Sequence, residues 1–216
     1  IRSQPANPHP WSHLMRRNLF AVPLLAFAAV TARADDTADF VKPENWEGLM
    51  EYWKIDNGTI VGQAPAEKGV PFNTFLCTKK KYGSFKLSCQ VRLKDGGGNS
   101  GIQIRSKVHD EKKFAVTGPQ CDMGQQYWGC LYGENFGGMM KAADWNEVKK
   151  VLKADDFNDY AIECIGKHVK ITINGYVTVD ADFEKMPAEG IIALQLHAGH
   201  PNMQATFKNI KFEEVK

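Results

Sequence analysis

From Phe85 to Leu93 every second side chain is apolar, in the order Phe85, Leu87, Cys89, Val91, Leu93, with Lys86, Ser88, Gln90 and Arg92 between them. A period of two is the mark of a strand with one buried face and one wet face. Similar short runs recur over Thr74 to Thr78, Asp159 to Ile165, Val169 to Ile173, Tyr176 to Asp180, Gly190 to His197 and Gln204 to Glu213. Tyr127 to Gly133 is aromatic and strand-like, whereas Glu134 to Ala143, with two adjacent glycines, reads as a loop over one end of a sheet. Asn57-Gly58 and Asn174-Gly175 supply the turn chemistry that suits the twist of a hairpin. The helical period is nearly absent, and only Ala142 to Leu152 reads as a short helix. About a dozen short strands with closely spaced turns predict an all-β fold, a two-sheet antiparallel sandwich. At 216 residues the chain can bury one full-sized core.

The first 34 residues stand apart. Met15-Arg16-Arg17, an apolar run from Leu19 to Val30 and the small-residue site Ala32-Arg33-Ala34 read as a secretory signal, with residues before Met15 carrying no fold argument. The expected organisation is a leader over 1–34, a polar lead-in over 35–45 and a sandwich domain over 46–216. The expected location is periplasmic or secreted, with no membrane attachment beyond the signal peptide. Without the leader's four arginines the chain carries 23 basic against 25 acidic residues, so its basicity belongs to the leader and nucleic acid is not an expected partner. All five cysteines lie past the leader: Cys77, Cys89 and Cys164 alternate like buried apolar residues, and Cys121 with Cys130 could be bridged. No C-x-x-C pair points to structural zinc.

One segment looks functional. Asp95-Gly96-Gly97-Gly98-Asn99-Ser100-Gly101 can take positive φ and approach another group closely, and it runs into the alternating strand Ile102-Gln103-Ile104-Arg105. Gln120-Cys121-Asp122 and Leu194-Gln195-Leu196-His197 repeat the alternation. The predicted polar face therefore carries Gln103, Arg105, Gln120, Asp122, Gln195 and His197, with a bulge or bend at Gly118-Pro119.

Together these motifs resemble the 3-keto-disaccharide hydrolase family, formerly a domain of unknown function, which has the concanavalin A-like jelly-roll fold. The likeness rests on Gly98-Asn99-Ser100-Gly101-Ile102 with Arg105, and on Gln120 to Gly124 running into Tyr127 to Glu134. Asn158-Asp159-Tyr160, Ile173-Asn174-Gly175 and Gly190 to His197 extend it. It covers about Trp46 to Val215, with one departure: Gly118-Pro119-Gln120 stands where Gly-Tyr-Gln is expected, which removes an aromatic wall.

The resemblance implies cleavage of glycosides already oxidised at carbon 3. A 3-ketone acidifies the proton on carbon 2, so one base removes it, the enolate expels the group on carbon 1, and water adds to the unsaturated sugar. The expected base is His197, since imidazole suits proton abstraction at neutral pH. Arg105 is expected to stabilise the enolate, with Asp122 as the third catalytic group. Gln103, Gln120, Gln195, Tyr132, Glu134 and Asn99 are expected to hold the substrate. Asp122, Glu134 and His197 are alternatively candidate ligands of a divalent cation that polarises the ketone. The chemistry also implies an upstream sugar 3-oxidoreductase, for which this chain has no dinucleotide-binding motif of its own.

Each residue has a plainer reading. His197 could be a core histidine satisfied by backbone, Arg105 and Asp122 a cross-strand ion pair, Glu134 solvated surface, and Asn99 turn chemistry alone. Tyr127, Trp128 and Tyr132 could be sandwich core, although Tyr132 shares the parity of Trp128 and one ring could line a cleft. The rival function is a lectin-like carbohydrate-binding module on the same fold. A retaining glucanase is disfavoured, because the strand motif Glu-x-Asp-x-x-Glu that would pair its carboxylates is absent.

Overall fold

The computed structural model describes residues 34–215, so the expected leader lies outside the described residues except for Ala34. Helix α1 (Ala34–Phe40) comes first. The strands that follow are β1 (Trp46–Glu47), β2 (Trp53–Asp56), β3 (Thr59–Gln63), β4 (Thr74–Thr78), β5 (Ser84–Leu93), β6 (Ser100–Asp110), β7 (Ala115–Met123), β8 (Leu131–Glu134) and β9 (Gly138–Lys141). Helix α2 (Trp145–Val151) precedes β10 (Asn158–Ile165), β11 (His168–Ile173), β12 (Tyr176–Asp182), β13 (Ile191–Leu196) and β14 (Gln204–Val215). They form two seven-stranded antiparallel sheets, in the orders β1-β4-β13-β6-β7-β8-β9 and β12-β11-β10-β5-β14-β3-β2. The all-β jelly-roll sandwich is thus the observed fold.

Alternation builds the core as expected. Phe85, Leu87, Cys89, Val91 and Leu93 are buried while their neighbours in β5 are half-exposed. Ile102, Ile104, Cys121, Leu131, Leu194 and Leu196 face them from the other sheet. Both Asn-Gly turns form, with positive φ at Asn57, Gly58, Asn174 and Gly175, the geometry that continues strand twist through a two-residue loop. Helix α2 is capped by Asp144, whose carboxylate accepts from the Asn146 N–H at 2.9 Å, and it seats Val148 in the core.

Three elements differ from the expectation. Residues 35–45 are more than a lead-in: Phe40 is buried, stacks on Phe212 at 4.3 Å and accepts a hydrogen bond from the Trp46 indole at 2.7 Å. Ala38, Phe40 and Val41 are too few and too closely spaced in this polar stretch to show a helical period, which is why the helix was hidden. The stretch Glu134 to Ala143 contains edge strand β9, paired with β8, and the glycines at and just before its start, Gly137 and Gly138, mask its strand character. Tyr127 ends a short 3-10 turn (Gln125–Tyr127), so the strand begins only at Leu131.

The bend at Gly118-Pro119 shapes the outer face of the first sheet. Register slips between Gln103 and Lys107, and Arg105 takes φ +46. Beyond that point the β6–β7 hairpin folds back across the sheet, with the Phe75 N–H donating to the Phe114 carbonyl at 3.1 Å and the Thr74 hydroxyl to the Lys113 carbonyl at 2.8 Å. This arm covers Phe75, Cys77, Ile191 and Ala193 with its own Val116, Val108 and Phe114, a second small apolar cluster outside the main core. Gly118 is required at the fold-over, since a Cβ there would stand 2.2 Å from the Ser106 hydroxyl. The rest of the outer face stays open and polar.

Candidate active site

The open part of that face holds a pocket of about 340 Å³, within the range of small-molecule sites. Gln195 and His197 reach it from β13 and its end, Gln120 and Asp122 from β7, Tyr132 and Glu134 from β8, and Asn99 from the glycine-rich turn before β6. The pairing of Gly118 with Glu134 and of Gln120 with Tyr132 sets these side chains on one face. Cys121 opposite Leu131 and Pro119 opposite Gly133 take the other face. A ring at position 119 would therefore point away from the pocket, and the Pro119 departure costs the pocket no wall.

Two expected residues are not there. Gln103 is fully buried (0% exposed) and supports the pocket from beneath rather than lining it. Arg105 is 2% exposed and belongs to another part of the molecule. Its guanidinium donates to the carbonyls of Gly83 (2.6 Å), Pro187 (3.0 Å), Cys164 (3.1 Å) and Gly166. The positive φ at Arg105 breaks the alternation that would have set it beside Gln103, so it cannot stabilise an enolate in this pocket, and it forms no ion pair with Asp122.

Two lining residues were not among the candidates for substrate contact. Tyr127 supplies a wall, whereas Trp128 is core and Tyr132 is not, because Gly129 in left-handed geometry interrupts their parity. Asn73, just before β4, sits across from His197 because Thr74 pairs with Leu196. Its carbonyl oxygen accepts from the Ala198 N–H at 2.9 Å and its amide nitrogen donates to Glu134 at 3.3 Å, bridging two rims of the pocket. Only the β4–β13 register, a long-range property, brings Asn73 here.

The floor is a chain of amides. The Ser106 hydroxyl donates to the Gln103 carbonyl oxygen at 2.5 Å, and the Gln103 amide nitrogen donates to the Gln120 oxygen at 2.7 Å. The Gln120 nitrogen then donates to Asp122 at 2.6 Å and to the Gln195 oxygen at 3.1 Å. Gly101 makes room for this, since a Cβ there would stand 2.6 Å from the Gln120 side chain.

Asp122 is 6% exposed, and its titration reflects that. Burial pushes its carboxyl up to about 7, the Gln120 hydrogen bond opposes the shift, and the Glu134 charge adds to it. A carboxyl that holds its proton near neutrality is equipped to act as an acid. His197 has a defined tautomer: Nδ1 lies 2.7 Å from the Ala198 carbonyl, which can only accept, so Nδ1 carries the hydrogen and Nε2 keeps the lone pair in the neutral ring. The His200 ring packs against it with centroids 5.4 Å apart, and burial, with the His197 charge, lowers the pKa of His200.

The three candidate cation ligands, Asp122, Glu134 and His197, all line the pocket. Among the described residues no three His, Cys, Asp or Glu side chains gather as a metal requires. One oxygen of Asp122 accepts from Gln120, one of Glu134 from Asn73, and the Nδ1 of His197 faces the Ala198 carbonyl. Among the described residues no helix is long and apolar enough to cross a membrane.

Solved structures share the fold at low identity. A Parabacteroides distasonis protein provisionally designated a glycosyl hydrolase is 21% identical with a TM-score of 0.56, over 80% of this chain and 94% of that one. The carbohydrate binding module CBM66 from Bacillus subtilis is 15% identical with a TM-score of 0.54, over 78% and 95%. A Bacillus subtilis protein of unknown function with a galectin-like fold is 10% identical with a TM-score of 0.54, over 79% and 90%. No curated protein compared with the chain matches it. A family model does, across residues 35–213, from helix α1 to the last strand and with every pocket residue inside it. The chain belongs to the family of 3-keto-alpha-glucoside-1,2-lyase-like domains.

Proposed function

We propose that this domain cleaves glycosides bearing a ketone at carbon 3, by elimination across carbons 1 and 2 followed by hydration. The observation that carries the reading is the pairing, in one pocket, of an imidazole whose Nε2 is free to accept a proton with a buried carboxyl that keeps its own near pH 7. Nε2 of His197 takes the proton from carbon 2, and the C–H electrons pass into the ketone as an enolate. The enolate reforms the ketone and a carbon 1–carbon 2 double bond as the bond from carbon 1 to the leaving oxygen breaks. Asp122 gives that oxygen its proton. Water then adds its oxygen to carbon 1 and a proton to carbon 2, yielding the free 3-keto sugar. In this reading Asn73, Asn99 and Glu134, which line the pocket, hold hydroxyls, and Tyr127 and Tyr132 flank the ring.

The substrate's ketone requires a prior reaction that oxidises carbon 3, so a separate sugar 3-oxidoreductase belongs upstream. We also propose export, on the leader pattern. A second reading, a carbohydrate-binding module, is favoured by the two tyrosines at the pocket and by the shared fold with CBM66.

One assay separates them. The chain is incubated with a 3-keto-glucoside and with its unoxidised parent, with and without added divalent metal. Release from the keto compound alone is expected, with a loss of about 10²-fold or more in His197→Ala. Tight binding without release would instead support the binding module, and parental rates in His197→Ala would remove that imidazole from the mechanism.

A further inference from the structure

We propose that Gln195 reads the ketone oxygen of the oxidised sugar, so that this amide, and not Arg105, distinguishes a 3-keto-glycoside from its 3-hydroxy parent. The inference rests on the reading of the pocket given above and names the group that sets its selectivity. Gln195 is fully buried and lines the pocket, yet its amide nitrogen has no hydrogen-bond partner. Neighbouring groups cover that nitrogen in the unliganded pocket, so an acceptor meets it once the Gln195 side chain turns slightly toward the cavity, which relieves the cost of a buried donor left unpaired.

The orientation of the amide is imposed by its neighbours. Both N–H groups of Gln120 are committed, one to Asp122 and one to the Gln195 oxygen. The Gln120 oxygen is taken by Gln103, whose own oxygen is taken by Ser106. Turning Gln195 over would set its NH2 against the NH2 of Gln120, donor against donor. The run of amides therefore points one way and ends in an NH2 group with hydrogens to spare.

What such an end group lacks is an acceptor. A ketone oxygen offers two lone pairs and brings no hydrogen that needs a partner, whereas a hydroxyl must place its own hydrogen elsewhere. As the proton leaves carbon 2, negative charge grows on that same oxygen and the hydrogen bond to Gln195 strengthens, which stabilises the enolate where it forms.

The probes are 1,5-anhydroglucitol and its 3-ketone, which carry no glycosidic group to lose, with affinities measured by calorimetry beside kcat and KM on a 3-keto-glucoside. The parent protein is expected to bind the ketone about tenfold or more tightly than the alcohol. Gln195→Met should erase that preference and lower kcat by about 10²-fold, with a smaller change in KM. Gln195→Glu keeps an acceptor for Gln120 and removes the spare donor, so it carries the same test if the Met variant does not fold. A folded variant of either kind that keeps the parent's preference and kcat overturns the inference while leaving the lyase reading intact. A parent protein that prefers the ketone through Gln195 yet releases nothing from the 3-keto-glucoside sinks the lyase reading and leaves this inference standing. No preference in the parent protein overturns it.

Discussion

Asp122 ties the chemistry of the pocket to the stability of the fold. An ordinary aspartate ionises near pH 3.9 in the unfolded chain, and burial moves this one to about 7 in the folded state. Between those values the folded protein holds a proton that the unfolded chain releases. The folded-state pKa is raised, so its contribution to stability is fully present below about pH 4 and is lost as pH rises to about 7. A difference of about three pKa units is worth roughly 4 kcal/mol. Asn at this position cannot ionise and can still accept from Gln120. Relative to the parent, Asp122→Asn should gain stability steadily from pH 4 to pH 7 and no further above it, while losing turnover on a 3-keto-glucoside. Urea midpoints across pH check this, and a parallel pH dependence in the two proteins would mean that Asp122 ionises normally.

At the scale of elements, the β6–β7 arm decides which parts of the polar face are usable. Alternation alone sets Gln120, Asp122 and Gln195 on one side of their strands, and these positions were readable because a period of two needs no knowledge of the partner strand. Arg105 shows where such reading stops. One residue with φ +46 reverses the faces beyond it, and nothing local in Ile102-Gln103-Ile104-Arg105 announces the bulge. Asn73 was out of reach for a different reason, since it depends on pairing with a strand more than a hundred residues away. The guanidinium of Arg105 instead ties the root of the arm to the turn before β5, to β10 and the β10–β11 turn, and to the segment before β13, through four backbone carbonyls. Arg105→Met strands those carbonyls and should cost about 3 kcal/mol or more in denaturant unfolding. The kcat of the folded fraction should stay near the parent's. A collapse of kcat with stability unchanged would return Arg105 to the chemistry.

Across the whole molecule, the five cysteines are where fold and proposed location meet. The sequence left a Cys121–Cys130 bridge open, but all five thiols are free and buried. Cys121 faces the core from β7, whereas Cys130 sits in the turn before β8 and accepts from the Ala143 N–H at 3.3 Å. Alternation assigns Cys77, Cys89 and Cys164 to buried faces, and there they pack as small apolar side chains. The proposed export would carry these thiols into a compartment that favours disulfides, so their protection must come from the sandwich itself. Burial pushes Cys77 and Cys89 up to about 12 and Cys164 to about 11, and raises Cys121 well above its ordinary value. The thiolate that would attack an oxidant is therefore scarce at neutral pH as well as inaccessible. Ellman's reagent should label none of the five in the native protein within minutes and all five once guanidinium unfolds it without reductant. Added reductant should leave the melting temperature unchanged. Fewer than five thiols in the unfolded, unreduced chain would reveal a bridge, and rapid labelling of the native protein would mean that the two sheets part more readily than their packed core implies.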